Sequence, residues 1–74
     1  MAVNNHIPNP GETVHWNWYG KVIKGQVKEI YPEKTSIMSK GKYITRNGTK
    51  DNPAIVISHK SGNDVIKLAS ELLI

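Results

Sequence analysis

The sequence has no cysteine, no phenylalanine and no long apolar run. Without cysteine, neither a disulfide nor a thiolate metal site can stabilise this chain of 74 residues. Folding at this length buries only about 60% of the surface that the unfolded chain exposes, so the core must be compact. A membrane span needs about 20 apolar residues, and residues 1–10 lack the pattern of an export signal. We therefore expect one small domain with a cytoplasmic location and no membrane contact.

The sequence also lacks the side-chain constellations of known catalytic and metal sites. His6, His15 and His59 are far apart and have no obvious carboxylate partner, which makes a poor zinc site. There is no Ser-His-Asp order, no phosphate-cradling glycine loop and no H-E-x-x-H motif. Glu29 and Glu33 are the closest pair of carboxylates, and a proline separates them. We therefore expect no catalytic residues, no metal and no cofactor, so the chain is not expected to be an enzyme.

Valine and isoleucine dominate the apolar residues, which favours strands. Residues 1–10 contain two prolines and no apolar periodicity and predict a flexible arm, so the domain is expected at residues 11–74. In ETVHWNW, Val14, Trp16 and Trp18 alternate with polar residues, as in a half-buried strand. KVIKGQVKEIYP changes its apolar face around Gly25, which predicts a bend there that allows a small barrel to close. TSIM and KYIT predict two short strands joined at SKG.

The segment TRNGTKDNPA, residues 45–54, predicts a corner. Asn47 and Gly48 both tolerate a positive φ, which is typical of a tight turn, and Asp51, Asn52 and Pro53 predict a second turn. AIVISHK and DVIKL then predict a hairpin, and ASELLI predicts a 3-10 turn that places Leu72 under the barrel. The pattern indicates an all-β fold, a small five-stranded antiparallel SH3-like barrel with a terminal 3-10 turn. An OB-fold is the second choice, since it usually needs more chain and a longer helix.

Four segments carry a resemblance to a known family: GETVHWNWYG, GQVKEI, TRNGTKDNPAIVI and KLASEL. Together they resemble the hypervirulence-associated protein Tudor-domain family over roughly residues 11 to 72. The resemblance implies a Tudor-type barrel. It does not imply an activity, because fold alone does not carry function.

A binding module is the function class that these observations favour. The first hypothesis is protein or peptide binding through an exposed barrel face, with Trp18, Tyr19, Tyr43 and Arg46 as contacts. The alternative is DNA or RNA binding, because no acidic residue lies between Glu33 and Asp51. That segment, residues 34–50, would use Lys40, Lys42, Tyr43, Arg46 and Lys50. Five phosphate contacts would give a slope of log affinity against log salt of about −3.5 to −4.5.

Two questions stay open at this point. Tudor domains elsewhere hold methylated lysine or arginine in an aromatic cage, and five aromatic residues are available as walls, although neighbouring lysines would repel a cation. Arg46 has two possible roles: an ion pair with Asp51 across the corner, or contact with a ligand. The oligomeric state does not follow from the sequence.

Overall fold

The computed structural model describes residues 7–73, which form strands and one 3-10 turn. The strands are β1 (Thr13–Trp18), β2 (Lys21–Tyr31), β3 (Lys34–Ser39), β4 (Lys42–Asn47), β5 (Ala54–Ser58), β6 (Asp64–Leu68) and β7 (Leu72–Leu73), and the 3-10 turn is Ala69–Glu71. A curled antiparallel sheet has the order β6-β5-β2-β1-β7, and β3 and β4 form a separate two-stranded sheet. Within residues 7–73, no helix is long and apolar enough to cross a membrane.

The predicted all-β, SH3-like, Tudor-type architecture is confirmed. The main sheet has five strands and forms a half-barrel, and the terminal 3-10 turn is present. Leu72 packs against the core as predicted, and it also pairs with Trp16 as part of the short seventh strand. The arm predicted at residues 1–10 lies partly outside the described residues. Within its described part, Pro8 is fully buried and the Asn9 carbonyl accepts a hydrogen bond from the Glu12 N–H at 3.0 Å.

The long strand β2 connects the two halves of the sheet. Its first half pairs with β1 and its second half with β5, and Gln26 pairs with both. The irregularity predicted at Gly25 is instead a shift of register between Val27 and Glu29, opposite β5. The extra residue, Lys28, changes which face of the sheet the following side chains point to. Ile30 therefore packs into the same core cluster as Val27.

Gly25 has a different role from the one predicted, since it allows close packing. A Cβ there would lie 2.6 Å from Ile57 Cγ2 and 2.7 Å from the Ser58 carbonyl oxygen. Because one of these atoms belongs to the backbone, no side-chain rotation would relieve both contacts. The position therefore excludes any larger residue.

Strand β5 is buried on both faces, and this organises the core. Ile55 and Ile57 pack with Val14, Trp16 and Val27 inside the half-barrel. Ala54 and Val56 face the other way and join a second cluster with Ile66 and with partly buried Ile37 and Ile44. The β3–β4 hairpin supplies these last two residues, so it covers the outer face of the β5–β6 pair. An unbroken apolar run such as AIVI is typical of a strand buried on both sides.

The corner TRNGTKDNPA is built differently from the prediction. Neither Asn47 nor Gly48 has a positive φ, and Asn47 ends β4. The reversal lies at Thr49 and Asn52, whose backbone N–H and C=O groups exchange hydrogen bonds of 3.0 and 3.2 Å. Gly48 is buried, and a Cβ on it would lie 2.6 Å from both the Ala54 nitrogen and the Tyr31 carbonyl oxygen. Gly48 is required for the close approach of backbones, not for its freedom in φ.

We expect Gly48→Ala to lower the free energy of unfolding by about 1–3 kcal/mol, because the added methyl group meets backbone atoms on two sides. The matched control is Asn47→Ala, an exposed neighbour with ordinary backbone geometry, which should cost no more than about 0.5 kcal/mol. Urea unfolding followed by tryptophan fluorescence measures both. A larger cost for Asn47→Ala than for Gly48→Ala would contradict this account of the corner.

Candidate functional site

A cleft of about 490 Å³ lies between the half-barrel and the β3–β4 hairpin. We call it the hairpin cleft. Its lining comes from β1, β2, β3, β4, β6 and the flanking turns, and consists of Trp16, Trp18, Ile23, Ser39, Lys40, Lys42, Ile44, Arg46, His59, Ser61, Asn63, Val65, Ile66 and Lys67. The hairpin forms a separate sheet and packs against β6 through side chains, with one side-chain hydrogen bond from the Ser39 hydroxyl to the Asp64 carbonyl at 2.7 Å. Among the described strands no backbone ladder joins the hairpin to β6, and the cleft lies where such a ladder would close the barrel.

Two tryptophans in alternate positions of β1 give the cleft an apolar floor and an aromatic edge. Trp16 is 3% exposed and belongs to the core, whereas Trp18 lines the cleft and is 54% exposed. Tyr19 follows in a two-residue turn, is 87% exposed and lies edge-on to Trp18 with ring centroids 4.7 Å apart. The exposed aromatic pair Trp18–Tyr19 therefore lies at the end of β1, close to the buried Trp16.

The charged side chains that line the hairpin cleft all have the same sign. They are Lys40, Lys42, Arg46 and Lys67, and no side-chain carboxylate is among the described residues of the lining. Within residues 7–73, Arg46 is the one of the four with a charged partner, since its Nε lies 3.2 Å from Glu71 Oε1. Its guanidinium also donates to the Thr45 carbonyl at 3.1 Å. Of the two roles left open for Arg46, the ion pair with Asp51 is not the one formed, because Glu71 of the C-terminal turn is its charged partner.

The C-terminal turn that carries Glu71 is held by hydrogen bonds at both ends. Glu71 Oε1 accepts from the Leu68 N–H at 2.8 Å. Asn52 donates to Ser70 Oγ at 3.0 Å and accepts from the Ser70 N–H at 2.8 Å. The side chain of Asn52 therefore connects the corner to the C-terminal turn. The hydrogen bonds between Asn52 and Ser70 therefore hold the turn in which the Glu71 carboxylate contacts Arg46.

The sequence-predicted residues separate into two groups. Trp18, Lys40, Lys42 and Arg46 all line the hairpin cleft, and Tyr19 lies on Trp18 at its edge. Tyr43 is opposite Met38 on the outer face of the hairpin and is 74% exposed there. Lys50 is exposed in the corner turn. The cleft therefore gathers the predicted residues at the end of β1, in the β3–β4 turn and on the inward face of β4, while Tyr43 and Lys50 lie elsewhere.

Sequence reasoning missed Lys67 and His59, both of which line the cleft. In DVIKL, Val65 and Lys67 share one face and Ile66 and Leu68 the other. Because both faces carry apolar residues, the pattern does not show on which side of the sheet Lys67 is exposed. His59 packs edge-on against Trp16 with ring centroids 6.5 Å apart. Only the pairing of β5 with β2 brings these two together, and no local signal could have shown it.

The aromatic residues do not converge on one cage. Trp18 and Tyr19 are adjacent, Tyr43 faces outward from the hairpin and Tyr31 packs against the second core cluster. Hydrogen bonding to Glu29 raises the pKa of Tyr31, so its hydroxyl already has an anionic partner. The four cations of the cleft would in addition repel a cationic ligand.

A second ion pair lies outside the hairpin cleft. Lys28, the residue at the register shift of β2, lies 2.9 Å from Asp64 Oδ2. This hydrogen bond, with the attraction of the opposite charge, raises the pKa of Lys28. In the part of the chain that the structure describes, no three histidine, aspartate or glutamate residues are grouped to hold a metal ion.

A small half-barrel with a packed hairpin and an open cleft is the architecture of a binding domain of the SH3-like, Tudor type. The chain belongs to the family described as the hypervirulence associated proteins TUDOR domain, whose model matches residues 11–72. That assignment confirms the resemblance seen in the sequence, and it indicates a binding module in general. Compared with curated proteins and with solved structures, the chain has no match.

We expect Asn52→Ala to lower the free energy of unfolding by about 1–2 kcal/mol, because it removes two hydrogen bonds that join distant segments. Its neighbour Asp51 is exposed, so Asp51→Ala is the matched control and should cost no more than about 0.5 kcal/mol. Chemical denaturation measures both variants. Equal costs for the two would show that the tie to Ser70 does not stabilise the domain.

Proposed function

We propose that the protein is a non-catalytic binding module whose hairpin cleft binds single-stranded nucleic acid. The observation that carries this proposal is the composition of the lining: four cations, no carboxylate and an exposed tryptophan. Phosphates supply the opposite charge at regular spacing, and bases supply flat rings that stack on an indole. From the sequence, nucleic-acid binding was the alternative to protein or peptide binding. It is now favoured because Lys67 lines the same cleft as Lys40, Lys42 and Arg46, and Trp18 lies beside them.

The charge of the cleft favours an anionic ligand by two effects. Neutralising phosphates releases counterions from the nucleic acid, which drives binding at low salt. The positive potential of a cleft also raises the rate of encounter with an anion. Lys40, Lys42 and Lys67 have no carboxylate partner among the cleft-lining residues, so they are placed to meet an external charge.

The turn geometry supports a role for the residues at the mouth of the cleft. In the described part of the chain, the residues other than glycine with a positive φ are Tyr19, at 49°, and Lys40, at 53°. A left-handed conformation costs an L-residue on the order of 1 kcal/mol, and such turns prefer asparagine or glycine. Both positions border the hairpin cleft: Lys40 lines it, and Tyr19 contacts Trp18 edge-on at its rim. Residues that are unfavourable for the turn but adjacent to a cleft are typical of positions with a binding role.

Protein or peptide binding is the second candidate, and the Trp18–Tyr19 pair favours it. Exposed tryptophan and tyrosine side chains are common hot spots of protein interfaces. Addition of a peptide strand at β6 is the less favourable form of this candidate. The Ser39 hydroxyl donates to the Asp64 carbonyl at 2.7 Å and Glu71 accepts from the Leu68 N–H, so two main-chain groups of that edge are occupied. A peptide would instead have to bind through side chains at the aromatic pair.

We expect Tyr19→Asn and Lys40→Asn to weaken binding of a fluorescent oligothymidine without lowering stability. Loss of a stacking ring should reduce affinity about fivefold or more, because base–aromatic stacking is worth ~1–3 kcal/mol. The free energy of unfolding should stay equal or rise, since asparagine suits the left-handed turn better. Fluorescence anisotropy and urea unfolding measure the two quantities. Unchanged affinity in both variants would contradict the proposal.

We expect the affinity for oligothymidine to fall steeply with salt, with a slope of log affinity against log salt of about −2.8 for four phosphate contacts. The double variant Lys42→Glu/Lys67→Glu should reduce the magnitude of that slope by about 1.4. The matched control is Lys34→Glu/Lys50→Glu, which makes the same change in charge at two exposed residues outside the cleft.

The control variant should keep most of the affinity and of the slope. If both double variants lose the same affinity, binding depends on net charge and not on the cleft. Absence of binding to the unmodified protein at low salt and tens of micromolar protein would remove nucleic acid as the ligand. Retained binding of a peptide that Tyr19→Asn abolishes would establish the second candidate instead.

A further inference from the structure

A second, smaller cleft adjoins the first. It has a volume of about 340 Å³ and is lined by Thr13, Lys24, Gly25, Gln26, Ser58, His59 and Lys60. Its charged side chains are Lys24 and Lys60, and the part of its lining that the structure describes has no carboxylate. We call it the Lys24–Lys60 cleft. Its composition repeats the charge of the hairpin cleft, at the point where β5 runs into the turn towards β6.

His59 is the residue that the two clefts share. Its Nδ1 accepts a hydrogen bond from the Ser61 N–H at 3.1 Å and lies 2.8 Å from the Ser61 hydroxyl oxygen. Because a backbone N–H only donates, the neutral ring carries its proton on Nε2. The contact with Trp16 holds the ring from the other direction. His59 is therefore a fixed, half-buried ridge between the clefts that presents a hydrogen-bond donor.

We propose that the two clefts form one continuous binding path, in which Lys24 and Lys60 bind phosphates of a strand that leaves the hairpin cleft over His59. This inference rests on the proposed function and adds the length and direction of the ligand. A polyanion longer than one cleft requires a continuous positively charged path. The described lining residues of the two clefts provide one, since no carboxylate lies among them.

The size of the domain sets the length of strand that the path can hold. The principal extents of the molecule are 38, 26 and 23 Å. At about 3.4 Å per stacked nucleotide, a strand crossing the molecule contains roughly seven to eleven nucleotides. A ligand of four nucleotides can fill one cleft only, whereas one of twelve reaches both. Affinity should therefore increase with length between these two sizes.

The polar groups between the clefts fit this path. Asn63 lines the hairpin cleft on the side of His59, and Gln26 and Thr13 line the second cleft. Hydroxyl and amide groups commonly bind phosphate oxygens beside lysine. These neutral donors would hold a strand where it crosses His59, because the residue that the two clefts share is not a lysine.

The test compares the affinities of three proteins for oligothymidines of four and twelve nucleotides by fluorescence anisotropy at low salt. The proteins are the unmodified chain, Lys24→Glu/Lys60→Glu and the charge-matched control Lys34→Glu/Lys50→Glu. We expect the twelve-nucleotide strand to bind the unmodified chain at least tenfold more tightly than the four-nucleotide strand. The variant Lys24→Glu/Lys60→Glu should lose most of that gain in affinity, and the magnitude of its slope of log affinity against log salt should fall by about 1.4. The control should keep both the gain and the slope.

The outcomes separate this inference from the proposed function. If the long strand binds and Lys24→Glu/Lys60→Glu behaves as the control does, the second cleft is not a subsite and the hairpin cleft acts alone. Equal affinity for the two lengths also overturns the continuous path. If neither strand binds the unmodified chain, the proposed function itself fails. Equal binding of an oligoglutamate of the same charge would show that an acidic peptide, not nucleic acid, follows the path.

Discussion

The burial of β5 on both faces is the constraint on which the rest of the structure depends. Ile55, Val56 and Ile57 are each at most 2% exposed, and burial of side chains of this size contributes about 1.5–3 kcal/mol each. The concave sheet covers one face, but the other face needs a separate cover, which the β3–β4 hairpin provides through Ile37 and Ile44. Because the hairpin is attached by side-chain packing, its inward rim stays open and forms one wall of the hairpin cleft. The stability of the fold and the existence of a site thus have the same origin.

The period-2 alternation of Val14, Trp16 and Trp18 was enough to predict β1, and glycine-containing turns located the hairpins. The position of the bulge was not predictable, since it depends on how β2 meets β5 and not on the nearest glycine. Gly25 and Gly48 both looked like sites of special backbone conformation. Both are instead places where another backbone or side chain comes within 3 Å of a hypothetical Cβ. Proximity of distant segments leaves no local mark in a sequence, whereas turn chemistry does.

The candidate site follows the same division. Lys40 lies in a predicted turn and Lys42 directly follows it, so their exposure could be expected, whereas the alternation placed Trp18 on the same face as Val14 and Trp16. Their position around one cleft depends on the packing of the hairpin across β6, which also brings in Lys67. The partner of Arg46 could not be predicted for a related reason. Glu71 reaches Arg46 only because Asn52 anchors the last turn to the corner.

The two proposals describe a surface that is prepared before a ligand arrives. Trp16 fixes His59, Glu71 orients Arg46, and the turns hold Tyr19 and Lys40 in unfavourable backbone conformations. Such fixed groups lose little conformational freedom on binding, which raises affinity for a given set of contacts. The outer face of the hairpin, with Met38 and Tyr43, offers exposed apolar groups without the cations of the cleft.

The most direct measurement is a nuclear magnetic resonance titration of the isotope-labelled protein with oligothymidine, in which every amide and both indole N–H groups report separately. The account predicts that the indole signal of Trp18 and the amide signals of Lys42 and Lys67 shift most, while those of Met38 and Tyr43 stay in place. Shifts concentrated at Met38 and Tyr43, with Trp18 unaffected, would show that the outer face of the hairpin binds the ligand and that the cleft does not.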